Sequence, residues 1–377
     1  MKVKLNQIFD LQMGKTPSRN NEDYWNGTNK WVSIADIGNS SKYIFETKEC
    51  ITDKGVTESG IKKVPCGTVI MSFKLSIGKT AITSEDMFTN EAIMAFIDRK
   101  IYQVDTNYFY HFCLGKDWTA GTNKAVMGLT LNKAMLSEVS LELPSIEDQV
   151  TIANKLDFVD SLITARREQL AKLDELVKSR FIELFGDPVL NPNAFTEGIV
   201  SDYCKMTQGT QIPMSEQVGE FRDGYYRYLY IRDLKYNDGN WIYVQDKYDD
   251  KKLTEKDLVV VNTGNTAGEI YYGKDGILSN NLFKVSFDTG VLNTTYMFAY
   301  FSSQQFQSML WNEMKEGTQP HLGHKIFGSK KLIVPPMDLQ KQFAAFVEQT
   351  DKSKFEIQKS LEKLETLKKA LMQKYFG

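Results

Sequence analysis

The chain has 377 residues, 42% of them hydrophobic and 12% aromatic, with a formal net charge of −2. That length exceeds one ordinary core and calls for two or more domains, and the near-neutral charge excludes a chain-wide basic surface for nucleic acid, leaving only local or shared ones. Nothing reaches the roughly 18 consecutive apolar residues of a membrane span, the start lacks a signal-peptide apolar core, and Cys50, Cys66, Cys113 and Cys204 lack zinc or disulfide-framework spacing, so a cytoplasmic protein without a membrane partner is expected.

Residues 1–142 read as a mixed, strand-rich globule punctuated by glycines. Trp31 to Ile37 alternates weakly, Gly67 to Phe73 is β-like, and Ala92 to Ile97 is a short apolar run. Asn107 to Leu114 fits either a strand or a buried helix, because periodicity cannot decide at that length. A long helix follows within 143–186, about Ile146 to Leu184. Its seam is Ile152, Leu156, Val159, Ile163, Leu170, Leu173, Val177 and Leu184, at alternating spacings of four and three. Arg166 and Arg180 fill the two remaining seam positions. This is an a/d stripe, which needs a partner helix, on a helix of roughly 57 Å. Residues 187–198 contain Pro188 and Pro192 after the stop at Gly186 and read as a linker.

Residues 199–333 repeat the layout of 1–142. Val200 to Cys204 echoes Leu5 to Phe9, and Gly209 to Pro213 echoes Gly14 to Pro17. Tyr228 to Leu234 lies on Trp31 to Ile37, with Asp233 on Asp36, and Gly317-Thr318 lies on Gly121-Thr122. A second long helix, about Asp338 to Tyr375, closes the chain within 334–377. Its seam is Phe343, Val347, Ile357, Leu361, Leu364 and Leu371, interrupted by Thr350, Lys354 and Lys368. The stretch from Val334 aligns without a gap on the stretch from Leu143, matching Pro144 to Pro335, Gln149 to Gln340 and Phe185-Gly186 to Phe376-Gly377. One unit, globule then helix, is therefore written twice. The expected fold is α+β: two related mixed α/β globules separated by two long helices that pair as an antiparallel coiled coil, with a pseudo-two-fold internal repeat. Such an arrangement is a ruler, and a long duplex with two half-sites is one target it fits.

Catalytic readings fail on their missing parts. Gly14-Lys15-Thr16 and Gly78-Lys79-Thr80 suggest a phosphate loop, but Phe9 and Phe73 stand where its first glycine belongs. Asn191-Pro192-Asn193 lacks the third residue of the amino-methyltransferase tetrad, and no glycine-rich cofactor loop accompanies it. His321 and His324 have no further ligand nearby in sequence for a metal. Glu46-x-Lys48 and Glu313-x-Lys315 lack the upstream acid of a nuclease motif. No catalytic residue, metal or cofactor is assigned.

The two Pro-x-x-x-x-Gln helix entries, the two Phe-Gly exits, the stretch Phe185-Gly186-Asp187-Pro188 to Asn191-Pro192 and the Gly-Lys-Thr-Pro opening carry a resemblance. Over essentially its whole length the chain resembles the specificity subunit of type I restriction-modification enzymes. The resemblance implies that each globule is a target recognition domain for one half of a split site in double-stranded DNA, and the divergence of the two globules makes the half-sites different and the expected site asymmetric. It implies helices that set the spacer and dock two methyltransferase subunits, motor-nuclease subunits in the full complex, and no chemistry in this subunit. Base edges and phosphates are contacted by Arg, Lys, Asn, Gln, Ser or Thr on loops. Three loop segments shared by both halves supply the candidates. In the first half they are Lys15, Thr16, Ser72, Lys74, Ser76, Lys79, Thr122, Asn123 and Lys124. In the second they are Thr210, Gln211, Arg232, Asn262, Thr263, Asn265, Thr318, Gln319, His321 and Lys325. Gly78 and Gly268 are expected to serve backbone turns. Arg166, Arg167, Lys172, Lys178 and Arg180 offer charge on the first helix to a duplex, a partner or the other helix. The competing picture is a non-catalytic two-headed rod for protein or glycan partners, with Tyr225, Tyr226, Tyr228 and Tyr230 as a groove.

Overall fold

The computed structural model describes residues 1–39, 41–74, 76–118, 131–236, 239–314 and 320–377. The chain divides into two units, Met1–Arg167 with Lys359–Gly377, and Glu168–Gln358. Each unit thus contains a globule and one half of each long helix.

In the first unit a five-stranded sheet runs in the order Phe9–Met13, Ile93–Asp98, Val69–Ser72, Thr80–Thr83, Tyr43–Ile44. A three-stranded sheet, Glu49–Ile51, Trp25–Val32, Phe88–Thr89, lies in the same globule. The strand Lys2–Lys4 pairs antiparallel with Ser140–Glu142 just ahead of the first long helix. The Val-, Ile- and Met-rich strands are buried on both faces, so they read as apolar runs rather than alternations. The ambiguous segment is a helix, Thr106–Gly115, capped by Asp105. Its Tyr108, Phe109 and Phe112 join Phe9, Phe96, Leu136 and Leu141 in the core.

The second unit repeats these parts. One sheet runs Cys204–Gln208, Leu282–Phe287, Leu258–Val261, Ile270–Tyr272, and another Ile242–Gln245, Tyr225–Leu229, Gly276–Leu278, Lys252–Leu253. The strand Thr196–Ile199 pairs with Lys331–Val334. It occupies the end of the stretch expected to be linker, which therefore stops earlier than 198. The helix Thr294–Ser302, capped by Asn293, stands where Thr106–Gly115 stands in the first unit.

Both long helices have 40 residues, Ile146–Phe185 and Met337–Phe376. Within each unit their halves run antiparallel. In the first, Asp160 pairs with Lys368 at 2.6 Å and Arg167 with Glu365 at 2.7 Å. In the second, Lys354 pairs with Asp174 at 2.5 Å, and Phe181 and Phe185 meet Phe343. Among the expected seam residues Leu156, Val159, Ile163, Phe343 and Leu361 are buried. Ile152, Leu170, Leu173, Val177, Val347, Ile357, Leu364 and Leu371 are half-buried. The polar interruptions are accommodated locally: buried Thr350 donates to the Phe346 carbonyl at 2.9 Å, and Arg180 pairs with Glu183 at 2.8 Å. The fold is α+β, with two related mixed globules and an antiparallel pair of long helices.

Two repeated devices fasten helix to globule. Gln149 Nε2 donates to the carbonyls of Gln103 and Pro144, both at 3.1 Å, while its Oε1 accepts from Asp105 N at 2.9 Å. Gln340 does the same with Val291 at 3.1 Å, Pro335 at 2.8 Å and Asn293 N at 2.8 Å. Both glutamines are buried, and each ties the helix entry to the residue that caps the preceding globule helix. The Phe-Gly exits close the cores. Phe185 packs on Tyr296, with ring centroids 4.8 Å apart, in the second unit, and Phe376 on Tyr108, at 5.3 Å, in the first.

The segments Trp31 to Ile37 and Tyr228 to Leu234, matched in sequence and only weakly alternating in the first case, are not strands throughout. Each begins as a strand and turns into a short helix, Ile34–Asn39 and Ile231–Lys235. The cause is an acid at the third helical position. Asp36 accepts from Ser33 N at 2.7 Å, and Asp233 accepts from Tyr230 N at 2.9 Å, which satisfies an orphan donor at the helix start.

Candidate nucleic-acid interface

The shared loop segments sit on one hydrogen-bonded frame that recurs in both units. Gly14 N donates to Ile93 O at 3.2 Å and Lys15 N to Thr89 O at 2.8 Å; Gly209 N donates to Leu282 O at 2.8 Å and Thr210 N to Leu278 O at 2.9 Å. Phe73 N donates to Ala92 O at 3.0 Å, and Asn262 N to Asn281 O at 3.1 Å. Leu131 N reaches Phe73 O at 3.0 Å, and Leu322 N reaches Asn262 O at 2.7 Å. Each globule thus gathers the same turns onto the same strand ends. A Cβ on Gly14 would fall 2.1 Å from the Thr89 carbonyl oxygen, and one on Gly209 would fall 2.0 Å from that of Ser279. That close approach explains the glycine of the Gly-Lys-Thr-Pro opening without any phosphate. Gly78 and Gly268 have φ of 86° and 95°, where a side chain is strained, and serve turns.

In the first unit Lys15 Nζ donates to the Ser59 carbonyl and Thr16 Oγ1 to Glu91. Lys79 and Ser76 are exposed, and half-buried Lys74 lies over the Phe73 ring. Ser72 corrects the candidate set: it is buried, and its hydroxyl donates to the Ser76 carbonyl and accepts from Lys79 N at 3.1 Å, so it holds the turn. Thr122, Asn123 and Lys124 lie outside the described residues, as do Thr318 and Gln319.

In the second unit Gln211, Asn265, His321 and Lys325 are exposed. Thr263 Oγ1 and His321 Nδ1 are 3.3 Å apart, and Gly264 N donates to Pro320 O at 3.0 Å, so the 262–265 turn and the 320–321 segment form one surface. Thr210 is half-buried and its carbonyl accepts from Tyr228 Oη at 2.6 Å. Asn262 is a second correction: it is buried, receives the Thr263 hydroxyl at 3.0 Å and donates to Asn280 O at 3.4 Å, a scaffold role. Burial, and then the neighbouring His321, hold His324 below the ordinary imidazole range. Arg232 is exposed at the helix Ile231–Lys235 and donates to Asn240 O at 3.2 Å.

On the first helix Arg167 is spent on Glu365, and Lys172 and Lys178 are exposed. The tyrosines of 225–230 are largely strand packing. Tyr226, Tyr228 and Tyr230 pack with Ile212, Val244 and Ile277, and Tyr230 Oη donates to Gln217 at 2.9 Å. Absent from the candidates are two arginines on aromatic faces, Arg19 at 3.8 Å over Trp25 and Arg227 at 4.3 Å over Trp241. A lone arginine in the aromatic strand Tyr225–Leu229 was the available signal.

Among the described residues no group of His, Cys, Asp and Glu is placed to hold a metal ion, and no helix is long and apolar enough to cross a membrane. What the fold defines is a duplicated α/β module, each copy packed with one half of each long helix, whose repeated turns carry different side chains in the two copies. A family model described as type I restriction modification DNA specificity domain matches residues 1–175 and again 199–369, and the chain belongs to that family. The MjaIX type I restriction enzyme specificity subunit of Methanocaldococcus jannaschii is 24% identical, over 98% of this chain and 91% of its own. The MjaVIII specificity subunit of the same organism is 31% identical over 47% of this chain and 40% of its own. Two solved structures share the fold at 15% identity. The S subunit of the type I restriction-modification system from M. genitalium matches 100% of this chain and 96% of its own with a TM-score of 0.59. A chain from a structure of complex assembly and conformational transition of the type I R-M system matches 100% and 97%, with a TM-score of 0.65.

Proposed function

We propose that this chain supplies the DNA sequence specificity of a type I restriction-modification enzyme without doing chemistry itself. The globule of 1–142 and that of 199–333 each read one half of a split site in double-stranded DNA, through the exposed side chains of their repeated turns. The observation that carries this is the shared frame with unlike surfaces. The same hydrogen bonds present Lys74, Ser76 and Lys79 in one unit but Thr263, Asn265 and His321 in the other. Lysine suits guanine O6 and N7, and asparagine suits adenine N6 and N7, so the two half-sites differ and the target is asymmetric. Lys15, Thr16, Thr210, Gln211, Arg232 and Lys325 complete the two surfaces. Ser72 and Asn262 build the turns.

The helices 143–186 and 334–377 set the spacer between the half-sites and dock two methyltransferase subunits, with motor-nuclease subunits joining in the full complex. Their action on chromosomal DNA places the assembly in the cytoplasm. A net charge of −2 neutralises few phosphates, and backbone neutralisation dominates duplex affinity, so the methyltransferase subunits complete the grip on DNA. The test is co-expression with the methyltransferase subunit of the same system, followed by sequencing of the host DNA for modified bases. One split motif, lost on deleting this chain, is the expected result. Methylation that does not depend on this chain would refute the proposal.

A further inference from the structure

The internal repeat exposes a reversal of charge at one position. In the first unit Trp31 faces Phe88 across a parallel strand pair, and in the second Tyr228 faces Ile277 across the equivalent pair. That register makes Lys30 the counterpart of Arg227, and Glu85 the counterpart of Lys274. In the first unit the pair is closed: Lys30 Nζ lies 2.6 Å from Glu85, 3.7 Å from Glu46, and on the Phe45 carbonyl. In the second unit both positions carry cations.

Among the described residues little compensates them. Asp233 is the only carboxylate within ion-pair distance of Arg227 among the described residues, at 3.9 Å, and Arg232 claims the same oxygen from 4.0 Å. Lys274 spends two of its donors on the carbonyls of Asp233, at 2.8 Å, and Leu234, at 3.1 Å. Arg227 lies 4.3 Å over the Trp241 ring with its side chain 17% exposed, and among the described residues its enclosed Nε and Nη2 have no hydrogen-bond partner. Burial, and then Arg227, push the Lys274 ammonium below its ordinary range. Among the described residues Arg227 and Arg232 thus share one carboxylate beside Lys274, and the arginine faces an indole, a concentration of positive charge suited to an oxyanion.

We propose that Arg227 and Lys274, with Arg232 at the rim, form a phosphate clamp that the first unit lacks, and that its occupant is a backbone phosphate of the duplex read by the second globule. This rests on the DNA-reading function proposed above. Phosphate contacts fix orientation and carry no sequence information, so the clamp seats the second globule and leaves its base preference to the turns.

The decisive variant is Lys274→Glu, which rebuilds in the second unit the ion pair that the first unit already tolerates. It is expected to unfold at the same temperature as the wild type or higher. Duplex binding by the complex of the full chain with its methyltransferase subunits would be followed across a salt series. The slope of log affinity against log salt should fall by about one or more. Affinity for every sequence should drop together, and the methylated motif should keep its sequence. Arg227→Gln, checked for folding by its unfolding midpoint, should lower the slope in the same direction. An unchanged slope in a folded Lys274→Glu complex whose wild type binds DNA overturns the clamp and leaves the function standing. A wild-type complex that binds no duplex overturns both. Inorganic phosphate that raises the wild-type unfolding midpoint but not the variant's, with an unchanged DNA slope, would make this a free-anion site and overturn the duplex assignment.

Discussion

Replacing Gln340 by leucine removes the tie between the second helix and its globule while keeping a side chain of similar reach. Gln340 is fully buried, and its amide makes three hydrogen bonds. Leucine would leave the Asn293 N–H and the carbonyls of Val291 and Pro335 without these partners. Each orphaned buried group costs about 1–3 kcal/mol, and because carbonyls keep a second lone pair and the site relaxes, the net expectation is about 3 kcal/mol. For a unit the size of Glu168–Gln358 that lowers the unfolding midpoint by about 6–12 °C. The repeat provides an internal replicate, since Gln149→Leu breaks the same three bonds in the first unit. Calorimetry of the full chain, with the exposed neighbour variant Lys341→Leu as control, gives the comparison. A loss below about 1 kcal/mol for both glutamine variants would refute the reasoning that buried amide partners fix the helix entry.

Acidification should weaken the first unit in two stages. His111 is fully buried, and its Nε2 lies 2.7 Å from Asp157, which also pairs with Lys42 at 2.6 Å. Burial outweighs the carboxylate and lowers the imidazole below 6.5; at Asp157 burial pushes the carboxyl up, and the hydrogen bonds and charges of Lys42 and His111 together overcome it and hold the group below 3.8. Both folded values are depressed, so the stability they confer is complete above about pH 6.5 and declines as pH falls. The unfolding midpoint of His111→Gln should lack the part of that decline just below pH 6.5, and a parallel profile would contradict the assignment. Gly14→Ala and Gly209→Ala should each cost about 3 kcal/mol, because a methyl would collide with a carbonyl oxygen in both; a chain that accepts both with unchanged thermal unfolding would disprove the crowding argument. Asn265→Ala should relax selection at a single base pair of one half-site, by roughly tenfold or more, and leave the other half-site strict. Sequencing of methylated host DNA reads this directly, and an unaltered motif would remove Asn265 from the reading surface.

The long helices were legible because an a/d stripe needs only local spacing to be recognised. Their ends moved by at most one residue from the expected bounds, and the seam residues all turned out buried or half-buried. The Pro-x-x-x-x-Gln entries were visible as pattern but not as mechanism. The groups that Gln149 and Gln340 clamp include partners 44 to 49 residues away. The short helices after Val32 and Leu229 were hidden inside apparent strands, because a helix of five or six residues is too brief to show a period. At the candidate surface, loop composition found the exposed residues but could not separate them from Ser72 and Asn262, whose polar groups point into their own turns. The relation of Arg227 to Lys274 exists only through the register of a parallel strand pair, which no sequence spacing discloses.

The closing of each core by the far end of a helix bears on how the chain is made. The first unit needs Lys359–Gly377, with Leu361 in its seam and Phe376 against Tyr108 and Phe112, yet every residue of the second unit leaves the ribosome before that segment does. Domains ordinarily fold in order of synthesis. Here the order inverts: the part translated first waits as an open globule, and the part translated later finishes before it. A nascent chain that has released its residues through Gln358 but not Lys359–Gly377 would therefore carry a complete second half and an unsealed first one, and quality control would find its exposed apolar surface in the half translated earlier.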